Sequence, residues 1–145
     1  MPDEDLRERI RGFSEAPVLW TDFRPVGLVP VGDAGKPDPG ATEGPFLGFC
    51  GIADPEAFRL SLERKGVGVL ELIAFPDHHP YTAGDVAAIM EKASELGARA
   101  LVTTEKDAVR WPGEDGALPC FALVMEVIFL EGEKKFWDAV CSLFM

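Results

Sequence analysis

The residues best suited to move protons lie in one short stretch, Phe75-Pro76-Asp77-His78-His79-Pro80-Tyr81-Thr82, which holds both histidines of the chain beside a carboxylate and between two prolines. An imidazole changes between its neutral and charged forms near pH 7, so a histidine next to an aspartate is a candidate acid–base pair. A second polar stretch, Thr104-Glu105-Lys106-Asp107, adds a cation, two carboxylates and a hydroxyl. Both stretches also have a bland reading. Asp77 can cap backbone amides and the histidines can pack or face solvent, because Asp and Pro are ordinary loop residues.

The elements around these stretches decide where they sit. Residues 67–75 carry Val67, Val69, Leu70, Leu72, Ile73, Ala74 and Phe75, a nearly continuous apolar run of strand length, which predicts a strand buried on both faces. Thr82 with Asp85 three residues on has capping-box spacing, and Val86, Ile89, Met90, Ala93 and Leu96 then form one helical stripe closed by Gly97. Asp77 to His79 thus fall in a strand-to-helix loop, where open α/β sheets place their ligands. The unit recurs. A short apolar run over 46–52 leads into Asp54-Pro55-Glu56, which announces a helix with Phe58 and Leu62 inward and Gly66 as its stop. The run over 100–103 leads directly into Thr104, whose spacing to Asp107 is again that of a capping box. A fourth apolar run covers 120–130, and Phe136, Trp137, Val140 and Phe144 recur at helical spacing after Glu133.

The first 45 residues read differently. Leu6, Ile10 and Phe13 line one side of a short amphipathic helix, whose expected role is to dock on the domain, with a membrane-surface role as the alternative. Residues 16–29 are extended but broken by Pro25 and Gly27, so they suit an edge or linking strand. Residues 31–45 are rich in Gly, Pro and Asp and read as a surface loop or hinge. The Gly35-Lys36 pair there lacks phosphate-loop spacing. The expected division is therefore 1–45 as helix, linking strand and loop, and 46–145 as an α/β domain.

Composition bounds the function. A chain of 145 residues, 47% hydrophobic, can form one core without staples. Its three cysteines, Cys50, Cys120 and Cys141, are odd in number and set in apolar runs, as buried thiols in a reducing cytoplasm would be. A formal charge of −11 disfavours nucleic acid as a partner, and no apolar run reaches the ~18 residues a membrane span needs.

The alternation of strands and helices predicts a small Rossmann-like α/β/α sandwich with a mostly parallel sheet of about four strands. Right-handed crossovers then bring three polar loops to one sheet edge: Ile52-Ala53-Asp54, Asp77-His78-His79 and Thr104-Glu105-Lys106-Asp107. The 145 residues contain no Walker motif, dinucleotide fingerprint or nucleophile elbow, so nothing in them binds ATP or NAD by itself.

Phe49-Cys50-Gly51-Ile52-Ala53-Asp54-Pro55 with Phe58, then Phe75-Pro76-Asp77-His78-His79-Pro80-Tyr81, then Thr103-Thr104-Glu105-Lys106-Asp107-Ala108-Val109-Arg110 resemble, in order and spacing, the C-terminal half of the tetraacyldisaccharide 4′-kinases of lipid A synthesis. The resemblance implies a two-domain enzyme that moves the ATP γ-phosphate to the 4′-hydroxyl of a tetraacyl disaccharide 1-phosphate at the cytoplasmic face of the inner membrane. It implies that ATP and Mg²⁺ are held mainly by an N-terminal P-loop domain not contained in this sequence, so this chain alone is expected to bind no cofactor or metal and to be inactive. Its expected partners are that domain and the acceptor lipid, with membrane association peripheral and through the full enzyme. By resemblance, His78 pairs with an N-terminal aspartate that serves as base, Asp77 orients His78, and His79, Tyr81, Thr104, Glu105, Lys106 and Asp107 are candidates to line the substrate cleft. Two other readings remain open: a non-catalytic domain that binds lipid or a partner chain, and, because Asp77-His78-His79 matches their signature triplet, a fragment of a DHH-type phosphoesterase.

Overall fold

The structure, a computed structural model, describes residues 1–32, 43–113 and 118–145. The loop expected over 31–45, with its Gly35-Lys36 pair, falls largely outside these residues. In chain order the elements are α1 (Glu4–Arg11), β1 (Trp20–Pro30), β2 (Phe46–Cys50), α2 (Pro55–Lys65), β3 (Val69–Ala74), α3 (Ala83–Leu96), β4 (Ala100–Thr104), α4 (Glu105–Ala108), β5 (Cys120–Glu131) and α5 (Glu133–Ser142). The five strands form one sheet in the order β1-β5-β4-β2-β3. β2 pairs in parallel with β3 and with β4, and β4 pairs in parallel with β5. Two contacts beside β5, from Val31 N–H just past β1 to the Cys120 carbonyl and from Arg24 of β1 to Glu126, have the inverse order of an antiparallel partner.

By internal contacts the chain divides into two units, one of Met1–Arg24 with Glu126–Met145 and one of Pro25–Met125. The larger unit holds the parallel strands and is built around β2, all five of whose residues are buried. Alternation along β2 sends Phe46 and Cys50 to one face and Leu47 and Phe49 to the other. The first face packs with Phe58 and Leu62 of α2, and the second with Ile89 and Ala93 of α3. These are the two apolar layers of an α/β/α sandwich. The helices begin and end where their caps dictate: Asp54 accepts from the Ala57 amide, Thr82 and Asp85 close a complete capping box, and Gly66 and Gly97 stop α2 and α3 in the left-handed conformation.

Three expectations are corrected. The sheet has five strands rather than four, because the Pro- and Gly-interrupted β1 joins as an edge strand. β3 is an edge strand and not a doubly buried central one, with Leu70 47% exposed and Glu71 paired to Lys92. Within the smaller unit, α1 turns Arg7 inward rather than its apolar stripe. Arg7 is buried, makes two hydrogen bonds to Glu131 and lies 5.8 Å from the centre of the Trp20 ring, whereas Phe13 is 94% exposed. Among the cysteines, Cys50 and Cys120 are buried, and burial pushes their thiols up to about 11 and about 12. Cys141 is exposed on α5.

Phe49 is fully buried, 4.6 Å centre to centre from Trp111 and edge-on to Tyr81 at 5.4 Å. Phe49→Ala is expected to destabilise the larger unit by ~3–5 kcal/mol, read as a lowered urea midpoint. A loss under ~1 kcal/mol would place the core elsewhere.

Candidate functional site

Parallel pairing puts the ends of β2, β3 and β4, and the loops that follow them, at one edge of the sheet. These loops are tied together by one carboxylate. Asp107 is completely buried and accepts four hydrogen bonds, from the Gly51 amide at 3.1 Å, the Thr104 hydroxyl at 2.7 Å, the Tyr81 hydroxyl at 3.1 Å and the Arg110 guanidinium at 2.8 Å. Four donors use the whole accepting capacity of an ionised carboxyl group. Tyr81 is itself buried, and burial followed by the nearby Asp107 charge pushes its phenol well above the usual range.

Gly51, at the end of β2, is a glycine for a steric reason. A Cβ there would lie 3.0 Å from the Pro76 carbonyl oxygen and 3.1 Å from the His79 Cβ, so the β3–α3 loop lies directly against its backbone. The Gly51 carbonyl accepts the His78 amide at 3.0 Å. His78 has φ +59°, a left-handed conformation uncommon for a residue with a side chain.

The two histidines go different ways. His79 is partly buried, stacked on Phe75 with ring centres 4.5 Å apart, and its Nε2 is 2.9 Å from Asp85 Oδ2. Asp85 also accepts from the Thr82 amide at 2.8 Å and the Thr82 hydroxyl at 2.9 Å. His78 is open, its side chain 70% exposed, with Nε2 3.7 Å from Asp77 Oδ2. Lys106 crosses from α4 to join it, with Nζ 3.2 Å from Asp77 Oδ1 and 3.5 Å from His78 Nε2. The Lys106 hydrogen bond, and then the field of His78 and Lys106, hold the Asp77 carboxyl below its ordinary value.

Of the residues expected to form the site, Asp77, His78 and Lys106 are therefore gathered at the surface. Tyr81 and Asp107 turn inward, with their polar atoms hydrogen-bonded to each other and to the neighbouring loops. Thr104 caps α4 and donates to Asp107, and His79 is held by Asp85. Glu105 points to β5, where it accepts the Met125 amide at 3.3 Å. In the Asp77-His78-His79 triplet the two rings face different partners, His78 Asp77 and His79 Asp85. Among the described residues no group of three His, Cys, Asp or Glu is placed to hold a metal ion. Sequence reading assigned no role to Gly51 or Arg110, and gave Asp85 its capping-box role without the His79 partner. The i,i+3 spacing of Asp107 and Arg110 was the available signal for Arg110.

Comparison with known proteins identifies the family. Residues 2–144 match the family model described as Tetraacyldisaccharide-1-P 4′-kinase. The chain belongs to that family. It is 37% identical over 142 residues to the tetraacyldisaccharide 4′-kinase of Chlorobium phaeovibrioides, covering 92% of this chain and 40% of that protein. It is 44% identical over 104 residues to that of Parvibaculum lavamentivorans, covering 72% of this chain and 26% of the relative. A crystal structure of LpxK from Aquifex aeolicus in complex with ATP superposes with a TM-score of 0.57 at 24% identity, covering 92% of this chain and 38% of that one, a likeness of fold. The chain thus spans 26% and 40% of the length of these two kinases.

The Asp85 cluster carries a pH signature. The Thr82 amide, then the His79 ring and the Thr82 hydroxyl, lower the Asp85 pKa in the folded state. The stability this contributes is present above the unfolded carboxylate value of about 3.9 and is lost as pH falls through the lower folded value. Asp85→Asn is expected to be less stable than the native chain at neutral pH and to converge on it once the pH has fallen below the lowered folded value. Parallel stability curves across that range would contradict the assignment.

Proposed function

We propose that this chain is the part of a tetraacyldisaccharide 4′-kinase that presents His78 to the phosphoryl acceptor. The observation that carries the reading is the separation of the two histidines: His79 is committed to Asp85 and Phe75, while His78 stands open beside Asp77 and Lys106 at the carboxyl edge of the sheet. In the transfer, the 4′-hydroxyl oxygen bonds to the γ-phosphorus of ATP, the bond to the ADP oxygen breaks, and the hydroxyl proton must leave. An imidazole at that hydroxyl, or paired with a carboxylate that takes the proton, lowers the cost of that loss. Asp77 orients the His78 ring and accepts from Lys106, which places a positive charge where an anionic acceptor would approach.

The residues of this chain do not themselves fit MgATP. The sequence has no P-loop, and the described residues have no metal-ligand group, so no step through Mg²⁺ is assigned to them. In this reading a P-loop portion supplies the nucleotide and metal clamps and brings the aspartate that His78 pairs with. Exposed apolar side chains in the smaller unit, Phe13, Trp137 and Phe144 among them, suit contact with that portion. Membrane association at the cytoplasmic face would belong to the complete, lipid-bound enzyme. No described helix is long and apolar enough to cross a membrane.

Two outcomes are expected. The 145-residue chain alone should not transfer phosphate from ATP to the disaccharide, and ATP-dependent product from the pure chain would refute the division of labour. In the complete kinase carrying this segment, His78→Ala should lower turnover ~10²-fold or more with an unchanged melting temperature. His79→Ala should instead lower stability by ~1 kcal/mol or more through the lost Asp85 hydrogen bond. Equal turnover losses, or a His78→Ala loss explained by unfolding, would sink the assignment.

A further inference from the structure

We propose that Asp107 is a positioning residue for His78: its buried carboxylate fixes Gly51, and the Gly51 carbonyl fixes the left-handed turn that carries the His78 ring. The proposal rests on the reading of His78 as the acid–base group. A histidine at positive φ on an exposed loop needs support from outside the loop, because the conformation brings its own Cβ too close to the following carbonyl. The support visible here is the 3.0 Å hydrogen bond from the His78 amide to the Gly51 carbonyl. Gly51 in turn is held through its own amide by Asp107 Oδ2, and Arg110 Nη2 reaches both the Gly51 carbonyl at 3.5 Å and Asp107 Oδ1 at 2.8 Å.

Asp107 also holds the far end of the loop, since Tyr81 donates its hydroxyl to Oδ1. The segment with His78 is therefore pinned on both sides by one group, and the missing Cβ of Gly51 lets it lie close enough to be pinned. Every accepting position of Asp107 is occupied and the residue is completely buried, so it has none left for a substrate. Its effect on the reaction passes through the ring it places. An imidazole misplaced by a fraction of an ångström loses its alignment with the group it serves.

The test has a structural arm and a kinetic arm. A residue at positive φ gives a strong intraresidue amide-to-α-proton NOE, because those two protons then lie closest together. In the 145-residue chain, His78 should show this NOE and its amide should exchange slowly. Asp107→Asn, in which an NH2 group replaces one accepting oxygen, should weaken both while α2 and α3 stay folded. In the complete kinase, Asp107→Asn should lower kcat ~10-fold or more with KM for ATP unchanged. It should add little to the loss in His78→Ala, as expected of residues that act through one another. A folded Asp107→Asn that keeps the His78 NOE, or whose kinetic loss multiplies in full with that of His78→Ala, overturns the proposal. If Asp107→Asn does not fold, Gly51→Ala decides: its Cβ meets the Pro76 carbonyl, so loss of the NOE with Asp107 intact supports the relay, and its retention overturns it. Full turnover in His78→Ala would remove the catalytic reading and leave the NMR result standing, so the two failures are distinguishable.

Discussion

A carboxylate in the interior is expensive to desolvate, and the cost is offset only when charge and hydrogen bonds surround it. Asp107 meets that condition with Arg110, Thr104, Tyr81 and the Gly51 amide, and in doing so joins the ends of β2 and β4 to the β3–α3 loop. The sheet alone would bring these loops near one another. The carboxylate fixes their mutual positions, because each donor has a direction as well as a distance. Its immediate consequence is a partition of the polar residues at this edge into a layer that faces the protein and a layer that faces outward.

The outward layer is small. Asp77 and His78 from the β3–α3 loop and Lys106 from α4 meet within 3.7 Å, and all three remain open to solvent. Their neighbours in sequence, His79 and Asp107, lie in the inward layer, where they stabilise the turns that present the outward three. In the proposed function this layer meets a phosphorylated lipid disaccharide whose hydroxyl must lose a proton. A cationic side chain and an imidazole are suited to that partner. The division also shows why one motif can hold residues of unlike roles, since adjacent side chains in a tight loop point in different directions.

Much of this was legible in the residues themselves. The buried run of β2, the caps at Asp54, Thr82 and Thr104 and the stops at Gly66 and Gly97 all follow from local chemistry and are found where expected. β3 was misread because an apolar run does not reveal its place in the sheet. Crossovers put it at the edge, where Leu70 is half exposed. The α1 stripe was misread because a long-range partner, Glu131, draws Arg7 inward against the hydrophobic pattern. The role of Asp107 was out of reach for a related reason. A capping aspartate, a substrate-contacting aspartate and a buried hub are spelled alike, and contacts to Gly51 and Tyr81, distant in sequence, separate them.

The central claim is that one histidine is open for chemistry and the other belongs to the framework. Acylation of the folded chain by diethyl pyrocarbonate at neutral pH, with each imidazole followed by mass spectrometry, addresses it directly. His78, with its ring exposed, should react in the folded chain, and His79, stacked on Phe75 and bound to Asp85, should stay unmodified until the chain is unfolded. Equal rates at the two rings, or faster reaction at His79, would contradict the account.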